Sequence, residues 1–252
     1  MKHIKKLTAL TLVTVTLLCC LVSCDLFGGN LQTDKYVANV RIVFATEDEG
    51  MRAAIDAMSA SSVLTVDGDN VMVDTQTATT GVMVNDSYVY IDGVIYHSTD
   101  VLVNSESASS YEKANMPAAS RDNLISKLGT GANIGPADFE ISESFTSGDL
   151  NTYTCTVIND ESKASLQAIF AARFAGLDAV VQLDDAEYTL ETYKGRNKSS
   201  VLSCHFTILL NGESYNITMH TYYDYDYDAK VNISAPQDTD KYTEVSYEEI
   251  IG

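Results

Sequence analysis

Alternation of apolar and polar residues dominates the chain from residue 36 onward. Short runs rich in β-branched and aromatic residues predict strands, and they cover 36–44, 63–66, 71–74, 81–84, 87–91, 94–96, 179–183, 186–193, 201–210, 214–223 and 230–234. Turn-forming residues separate neighbouring runs, at 67–70, Asn85-Asp86, Asp92-Gly93 and Asn211-Gly212. Strands that follow each other so closely predict an antiparallel meander.

Three segments have helical rather than alternating spacing. Thr46 and Glu49 fit a capping box ahead of apolar residues at 51, 55 and 58. A short helix is expected over 120–129, with Leu124, Ile125 and Leu128 on one face. The strongest helical pattern covers 162–175, and its apolar stripe consists of Leu166, Ile169, Phe170, Phe174 and Leu177. Strands and helices together predict an α+β domain over residues 35–252.

The N-terminus has a different pattern. Three lysines precede an apolar stretch over 7–18, and Leu21-Val22-Ser23-Cys24 follows it. These four residues resemble the lipobox of bacterial lipoproteins. The resemblance implies that 1–23 is a signal peptide, that Cys24 carries lipid, and that 24–34 is a flexible tether. A membrane-spanning helix, which needs roughly 20 apolar residues, and an ordinary secretory signal are the alternatives.

Charge narrows the set of partners. The full chain has 16 basic and 35 acidic residues, and removal of the three leader lysines leaves 13 basic residues and a formal charge of −22. Such a charge repels nucleic-acid phosphates and favours cations, basic proteins or cell-envelope partners. The alternative is an acidic surface that contacts only solvent, which would give the same formal charge.

Two cysteines remain beyond the tether, Cys155 and Cys204. Export would expose them to an oxidising compartment, where a single disulfide could form. Two buried free thiols fit the sequence equally well, because free cysteine behaves as a small apolar residue.

Motifs for covalent or metal chemistry are absent from the sequence. No pair of histidines has metal-ligand spacing, and no Gly-x-Ser-x-Gly elbow or phosphate-binding glycine loop occurs. Asp224, Asp226 and Asp228 alternate like the start of a calcium loop, but alanine occupies its sixth and twelfth positions. A strand with tyrosines on one face explains that segment better. We therefore expect no enzyme, metal site or cofactor.

The remaining signal is a set of apolar and aromatic residues on predicted strands and on the best helix. Such residues make adaptable surfaces for apolar ligands, although each one singly suits an ordinary core. The predicted ligand-binding set is Met72, Met83, Tyr88, Tyr90, Phe170, Phe174, Phe206, Ile208, Tyr215 and Ile217.

The order of leader, lipobox, tether, strands and helices is similar to that of the LolA and LolB lipoprotein carriers and the mycobacterial lipid-carrier lipoproteins. The likeness is carried by the hairpin over 206–217, the tyrosine strand over 222–225, the segment 231–236 that ends in Pro236, and the strands over 86–96. It implies a curved antiparallel half-barrel with two or three helices on the concave face.

The resemblance also implies a function. The protein would be lipid-anchored at the cell membrane through Cys24, would face the extracytoplasmic side, and would bind or carry a lipid or other apolar ligand without catalysis. The alternative is a structural or interaction lipoprotein with a filled core and an acidic partner-binding face.

Overall fold

A computed structural model describes residues 35–79, 81–104, 106–117, 138–172, 174 and 179–251. The lipobox, the tether and the predicted helix over 120–129 lie outside these residues. The described strands are β1 (Lys35–Thr46), β2 (Ala60–Asp67), β3 (Asn70–Thr79), β4 (Val82–Ile91), β5 (Val94–Val103), β6 (Glu106–Asn115), β7 (Phe139–Ser147), β8 (Leu150–Ile158), β9 (Val180–Tyr193), β10 (Arg196–Leu210), β11 (Glu213–Asp226) and β12 (Thr243–Glu244).

All twelve strands form one open sheet in the order β12-β6-β5-β4-β3-β2-β1-β11-β10-β9-β8-β7. Every neighbouring pair is antiparallel except β12 with β6. The turns at Asp92-Gly93 and Asn211-Gly212 have positive φ at both residues, which is the backbone that tight hairpins require. The α+β class and the antiparallel meander are confirmed.

The described residues form three α-helices: α1 (Glu49–Asp56), α2 (Asp160–Ala172) and α3 (Tyr247–Ile251). Asp48 caps α1, since its carboxylate accepts the Met51 amide at 2.8 Å. The predicted capping box is therefore wrong: the Thr46 hydroxyl instead donates to the Asn216 carbonyl. α2 begins two residues before the predicted start, at Asp160.

One face of the sheet is packed against helices, and we call it the inner face. Ile55 of α1, Phe170 of α2 and Ile250 of α3 belong to the same buried cluster as strand residues such as Phe44 and Phe206. Side chains alternate along each strand, so the cluster takes every second residue where a strand is buried, as at Val40, Ile42 and Phe44 of β1. The other side of the sheet is the outer face.

The C-terminal segment crosses the outer face and then reaches the sheet edge. Predicted as a strand, 230–234 is irregular instead, and Val231 and Ile233 pack against Val89 in a second, smaller cluster. The chain then runs parallel to the edge strand β6 as β12, and Ile250 enters the inner cluster. This packing covers part of an exposed strand edge, which would otherwise be free to pair.

Other strand predictions differ from the structure. β4 runs without interruption through Asn85 and Asp86, so the predicted turn there is wrong. Three strands, β6, β7 and the two-residue β12, were not predicted. β6 and β7 are edge or near-edge strands with mostly exposed residues, so they lack the apolar alternation that identifies a half-buried strand.

No helix among the described residues is long and apolar enough to cross a membrane.

Candidate functional site

Seven of the ten predicted ligand-binding residues do share one buried cluster on the inner face. They are Tyr88, Tyr90, Phe170, Phe174, Phe206, Ile208 and Ile217. Tyr215 continues the same face at the end of the β10–β11 hairpin, half-buried, with its hydroxyl donating to Glu213 at 2.5 Å. That hydrogen bond raises the pKa of the Tyr215 hydroxyl.

Met72 and Met83 lie on the opposite side of the sheet. Val71 and Val73 of β3 are inner-face residues, so Met72 between them packs with the outer cluster around Val89. Met83 is an even number of residues from Val89 on β4, so it also lies on the outer face. Its sulfur lies 3.7 Å from the Gln76 amide nitrogen. Because successive side chains of a strand point to opposite faces, these methionines and the tyrosines of the same hairpins lie on different faces of the sheet.

The inner face has an aromatic half, formed by β1, β9, β10, β11 and α2. Phe170 of α2 stacks on Phe206 with ring centroids 3.9 Å apart, and Phe44 and Phe174 flank it at 5.6 and 5.3 Å. Each of these side chains is buried against the others. In this half, the side chains that were predicted to line a ligand cavity pack against one another instead.

The inner face also has a polar half, formed by β2 to β6. Ser62 lies opposite Thr75, Thr75 opposite Asp86, and Asp86 opposite Thr99, so one row of polar side chains crosses four strands. The Ser62 and Thr75 hydroxyls are 2.9 Å apart. An uninterrupted polar row on a buried sheet face is unusual, because polar groups there need partners.

Four residues form a polar cluster within this half: Asp86, His97, Thr99 and Glu112. His97 lies between the two carboxylates, with Nε2 3.4 Å from Asp86 Oδ1 and Nδ1 3.4 Å from Glu112 Oε2. The Thr99 hydroxyl donates to Asp86 at 2.5 Å and lies 3.1 Å from His97 Nε2. Tyr88 stacks on the imidazole, with ring centroids 4.2 Å apart.

Burial of the polar cluster decreases from one carboxylate to the other. The Asp86 side chain is 6% exposed and His97 is 11% exposed, whereas Glu112 is 40% exposed. The cluster therefore extends from a buried carboxylate to one that solvent reaches. A charged side chain as buried as Asp86 is tolerated only with hydrogen-bond partners, which Thr99 and His97 provide.

Glu112, His97 and Thr99 have the order of a carboxylate–imidazole–hydroxyl triad, but their surroundings do not suit acyl transfer. The Thr99 hydroxyl already donates to Asp86, so its proton is not directed at the imidazole. β5 is an interior strand whose backbone is paired with β4 and β6, so the β5 amides beside Thr99 are engaged in the sheet rather than directed at an oxyanion. The arrangement is better suited to binding.

Cys155 and Cys204 are both buried and free, so the disulfide that the sequence left open is not formed. β9 runs between the strands that carry them, since Cys204 lies opposite Ala186 and Cys155 opposite Tyr188. Two strand spacings of about 4.8 Å exceed the roughly 7 Å that a disulfide allows between Cα atoms. Burial raises the pKa of both thiols, so neither is a ready nucleophile.

The tyrosine-rich end of β11 follows the predicted period of two. Tyr223 and Tyr225 stack along the inner face with ring centroids 6.5 Å apart, and Tyr36 of β1 packs against Tyr225 at 6.1 Å. No group of His, Cys, Asp and Glu side chains in the described residues is arranged to hold a metal ion.

The polar cluster was missed from the sequence because Asp86 was assigned to a turn. Had β4 been taken as continuous, Asp86, Tyr88 and Tyr90 would have shared one face. His97 lies on the next strand, and Glu112 belongs to β6, whose polar sequence did not predict a strand. The signal was a carboxylate at an inner-face position of an otherwise apolar strand.

Comparisons with known proteins add no family. No family model and no curated protein matches the chain. Among solved structures, the ywiB protein from Bacillus subtilis is 11% identical with a TM-score of 0.19, over 76% of this chain and 91% of that one. The dehydratase domain from the terminal module of the rifamycin polyketide synthase is 13% identical with a TM-score of 0.18, over 75% and 74%. Likeness this low carries no argument about fold or function.

Proposed function

We propose that this chain is a membrane-anchored lipoprotein that holds a lipid or other apolar ligand between the inner face of its sheet and its helices, without covalent chemistry. The observation that carries the proposal is the inner face itself. It joins a broad apolar surface to a polar cluster that is partly open to solvent, as a ligand with an apolar body and a polar end requires.

The half-barrel is part of the proposal. A flat sheet of twelve strands would be roughly 50 Å wide at the usual strand spacing. β6 and β7 lie near opposite edges of the sheet. One continuous buried cluster nevertheless includes inner-face residues of both strands and of the strands between them, with three short helices over them. Curling of the sheet around the helices accounts for this burial.

The anchor and location rest on Leu21-Val22-Ser23-Cys24. Lipid on Cys24 would hold the domain at the extracytoplasmic side of the cell membrane, and more than one acyl chain makes such anchoring stable. The test is fractionation of cells that express the full chain or its Cys24→Ser variant, with metabolic labelling by an alkyne fatty acid. The wild type should be labelled and membrane-bound, and the variant neither. Equal labelling would contradict the anchor.

Ligand binding is tested with the full chain carrying Cys24→Ser, so that no lipid is attached covalently. Native mass spectrometry before and after organic extraction should reveal a co-purified apolar molecule, and an uncharged fluorescent fatty-chain probe should bind to the extracted protein. A protein that is ligand-free and also binds no probe would refute the proposal.

A matched pair of variants locates the ligand. Tyr88 and Tyr96 lie on adjacent strands but on opposite faces, and Tyr96 packs on Tyr242 of the C-terminal segment. Tyr88→Ala should weaken probe binding about tenfold, which corresponds to loss of one aromatic contact. Tyr96→Ala should leave probe binding unchanged. Circular dichroism on both variants checks that the fold is retained.

One observation favours a second candidate, an interaction lipoprotein with a filled core. The aromatic half is packed by its own side chains, so it supports a core as readily as a ligand wall. The formal charge of −22 would then serve a basic protein or cell-envelope partner. Absence of any extracted ligand, with salt-sensitive retention on a basic partner, would favour this candidate.

A further inference from the structure

We propose that the polar cluster of Asp86, His97, Thr99 and Glu112 is the head-group site of an amphiphilic ligand whose polar end donates hydrogen bonds and carries no negative charge. This inference rests on the proposed function, and it specifies the class of ligand. The apolar chain would lie along the inner face, with its head at the Glu112 end of the polar cluster, which solvent reaches.

Hydrogen-bond acceptors outnumber donors in the polar cluster. Two carboxylates offer four oxygens, whereas the Thr99 hydroxyl provides one donor and the His97 imidazole at most two. Both His97 contacts are 3.4 Å long, beyond the usual range of a strong hydrogen bond. Acceptors are therefore in excess, and a ligand hydroxyl or ammonium group would satisfy them.

A buried hydroxyl next to the polar row has no hydrogen-bond partner among the described residues. Thr77 is 4% exposed, and its Oγ1 has no hydrogen-bond partner in the described structure. It lies on the inner face opposite Val84, whose next inner-face neighbour along β4 is Asp86. An unpaired buried hydroxyl costs free energy, which a polar ligand group would recover.

Charge also restricts the head group. Among the described residues, no Lys or Arg lies within ion-pair distance of Asp86 or Glu112, and His97 is the basic side chain that contacts both. A phosphate or carboxylate head would face two like charges across a partly buried site, where repulsion is weakly screened. Neutral polyol and cationic amine heads share the chemistry that the site accepts.

The test compares three amphiphiles with the same alkyl chain and different heads: monolauroylglycerol, dodecylamine and laurate. Each competes with a fluorescent fatty-chain probe for the full chain carrying Cys24→Ser. We expect the glycerol ester, the amine or both to bind at least about tenfold more tightly than laurate, as one or two hydrogen bonds to a charged acceptor predict. The amphiphile that binds most tightly shows whether the natural head group is a polyol or an amine.

Substitution of the exposed carboxylate checks that the selectivity arises at this site. Glu112→Gln removes one charge and should reduce the preference over laurate by about tenfold. Glu187→Gln is the matched control, because Glu187 is an exposed outer-face residue of β9. The control should keep the wild-type order of affinities.

The outcomes separate the two proposals. Equal binding of all three amphiphiles, or a preference that Glu112→Gln leaves intact, overturns the head-group site while the carrier function stands. Binding of none of them overturns both. Tighter binding of laurate overturns the assigned ligand class.

Discussion

The aromatic half and the polar half of the inner face are both built from antiparallel strands, but their buried side chains differ. In the aromatic half, Phe170 of α2 packs between Phe44 and Phe206, so the packing there relies on ring contacts. In the polar half, Asp86 and His97 occupy equivalent inward positions and depend on hydrogen bonds. Alternation determines which residues are buried, whereas residue type determines whether that burial stabilises the fold directly or leaves polar groups that need hydrogen-bond partners.

The largest expected effect on stability lies in the aromatic half. Phe206→Ala removes a ring that is 1% exposed and stacked on Phe170, so unfolding should become easier by about 3–5 kcal/mol. Urea denaturation measures this change. His205→Ala, at the next position and on the exposed outer face, should cost less than about 0.5 kcal/mol. A loss below about 1 kcal/mol for Phe206→Ala would show that this half is not a tightly packed core.

A smaller loss is expected in the polar half. Asp86→Ala leaves Thr99 and His97 without their shared acceptor, and should destabilise the domain by about 1–3 kcal/mol. Asp74→Ala is the control, because Asp74 is an exposed residue of the neighbouring strand that accepts from Ser87. If both variants lose the same stability in urea, the polar cluster contributes nothing beyond an ordinary surface hydrogen bond.

A gain in stability is expected from two buried hydroxyls, one in each half. Thr77 and Thr221 are both inner-face residues whose Oγ1 atoms lack a partner among the described residues. Thr77→Val and Thr221→Val should each raise the free energy of unfolding of the ligand-free protein by about 1 kcal/mol.

Ligand affinity should separate these two variants. Only Thr77→Val should weaken binding of the preferred amphiphile, since Thr221 lies in the aromatic half. Equal affinity of both variants would mean that Thr77 takes no part in the head-group site.

The smallest expected effect concerns the outer face and depends on pH. Partial burial, and then the nearby His205, lower the pKa of His220, whose Nδ1 lies 2.9 Å from the Ser203 hydroxyl. As pH falls below the ordinary histidine value of about 6.5, the unfolded chain binds a proton before the folded chain does. This contribution to stability is therefore complete above that pH and is lost below it.

His220→Gln should remove that part of the acid sensitivity. Urea midpoints at about pH 7.5 and 5.5, on either side of the histidine pKa, measure it for wild type and variant. The two proteins should be similar at the higher pH, which serves as the control, and the variant should lose less stability at the lower pH. An unchanged pH dependence would assign the acid sensitivity to other groups.

Much of the aromatic half could be predicted from the sequence. The strands over 201–210 and 214–223, the Asn211-Gly212 turn and the helix that carries Leu166 and Phe170 have strong local signals, and all occur in the structure. The polar half could not, because β6 has the exposed, polar sequence of an edge strand and Asp86 resembled a turn residue. Both features depend on neighbouring strands that are distant in sequence.

The sequence by itself determined the α+β class, three of the four predicted hairpin turns, the acidic charge and the residues with apolar alternation, because these follow from local backbone preference and composition. Only the tertiary structure decided that Met72 and Tyr88 lie on opposite faces, that β9 separates Cys155 from Cys204, and that Asp86, His97 and Glu112 meet across three strands. Strand register decides such contacts. Register is set by pairing over the whole sheet, and a shift of one residue reverses the face of every side chain.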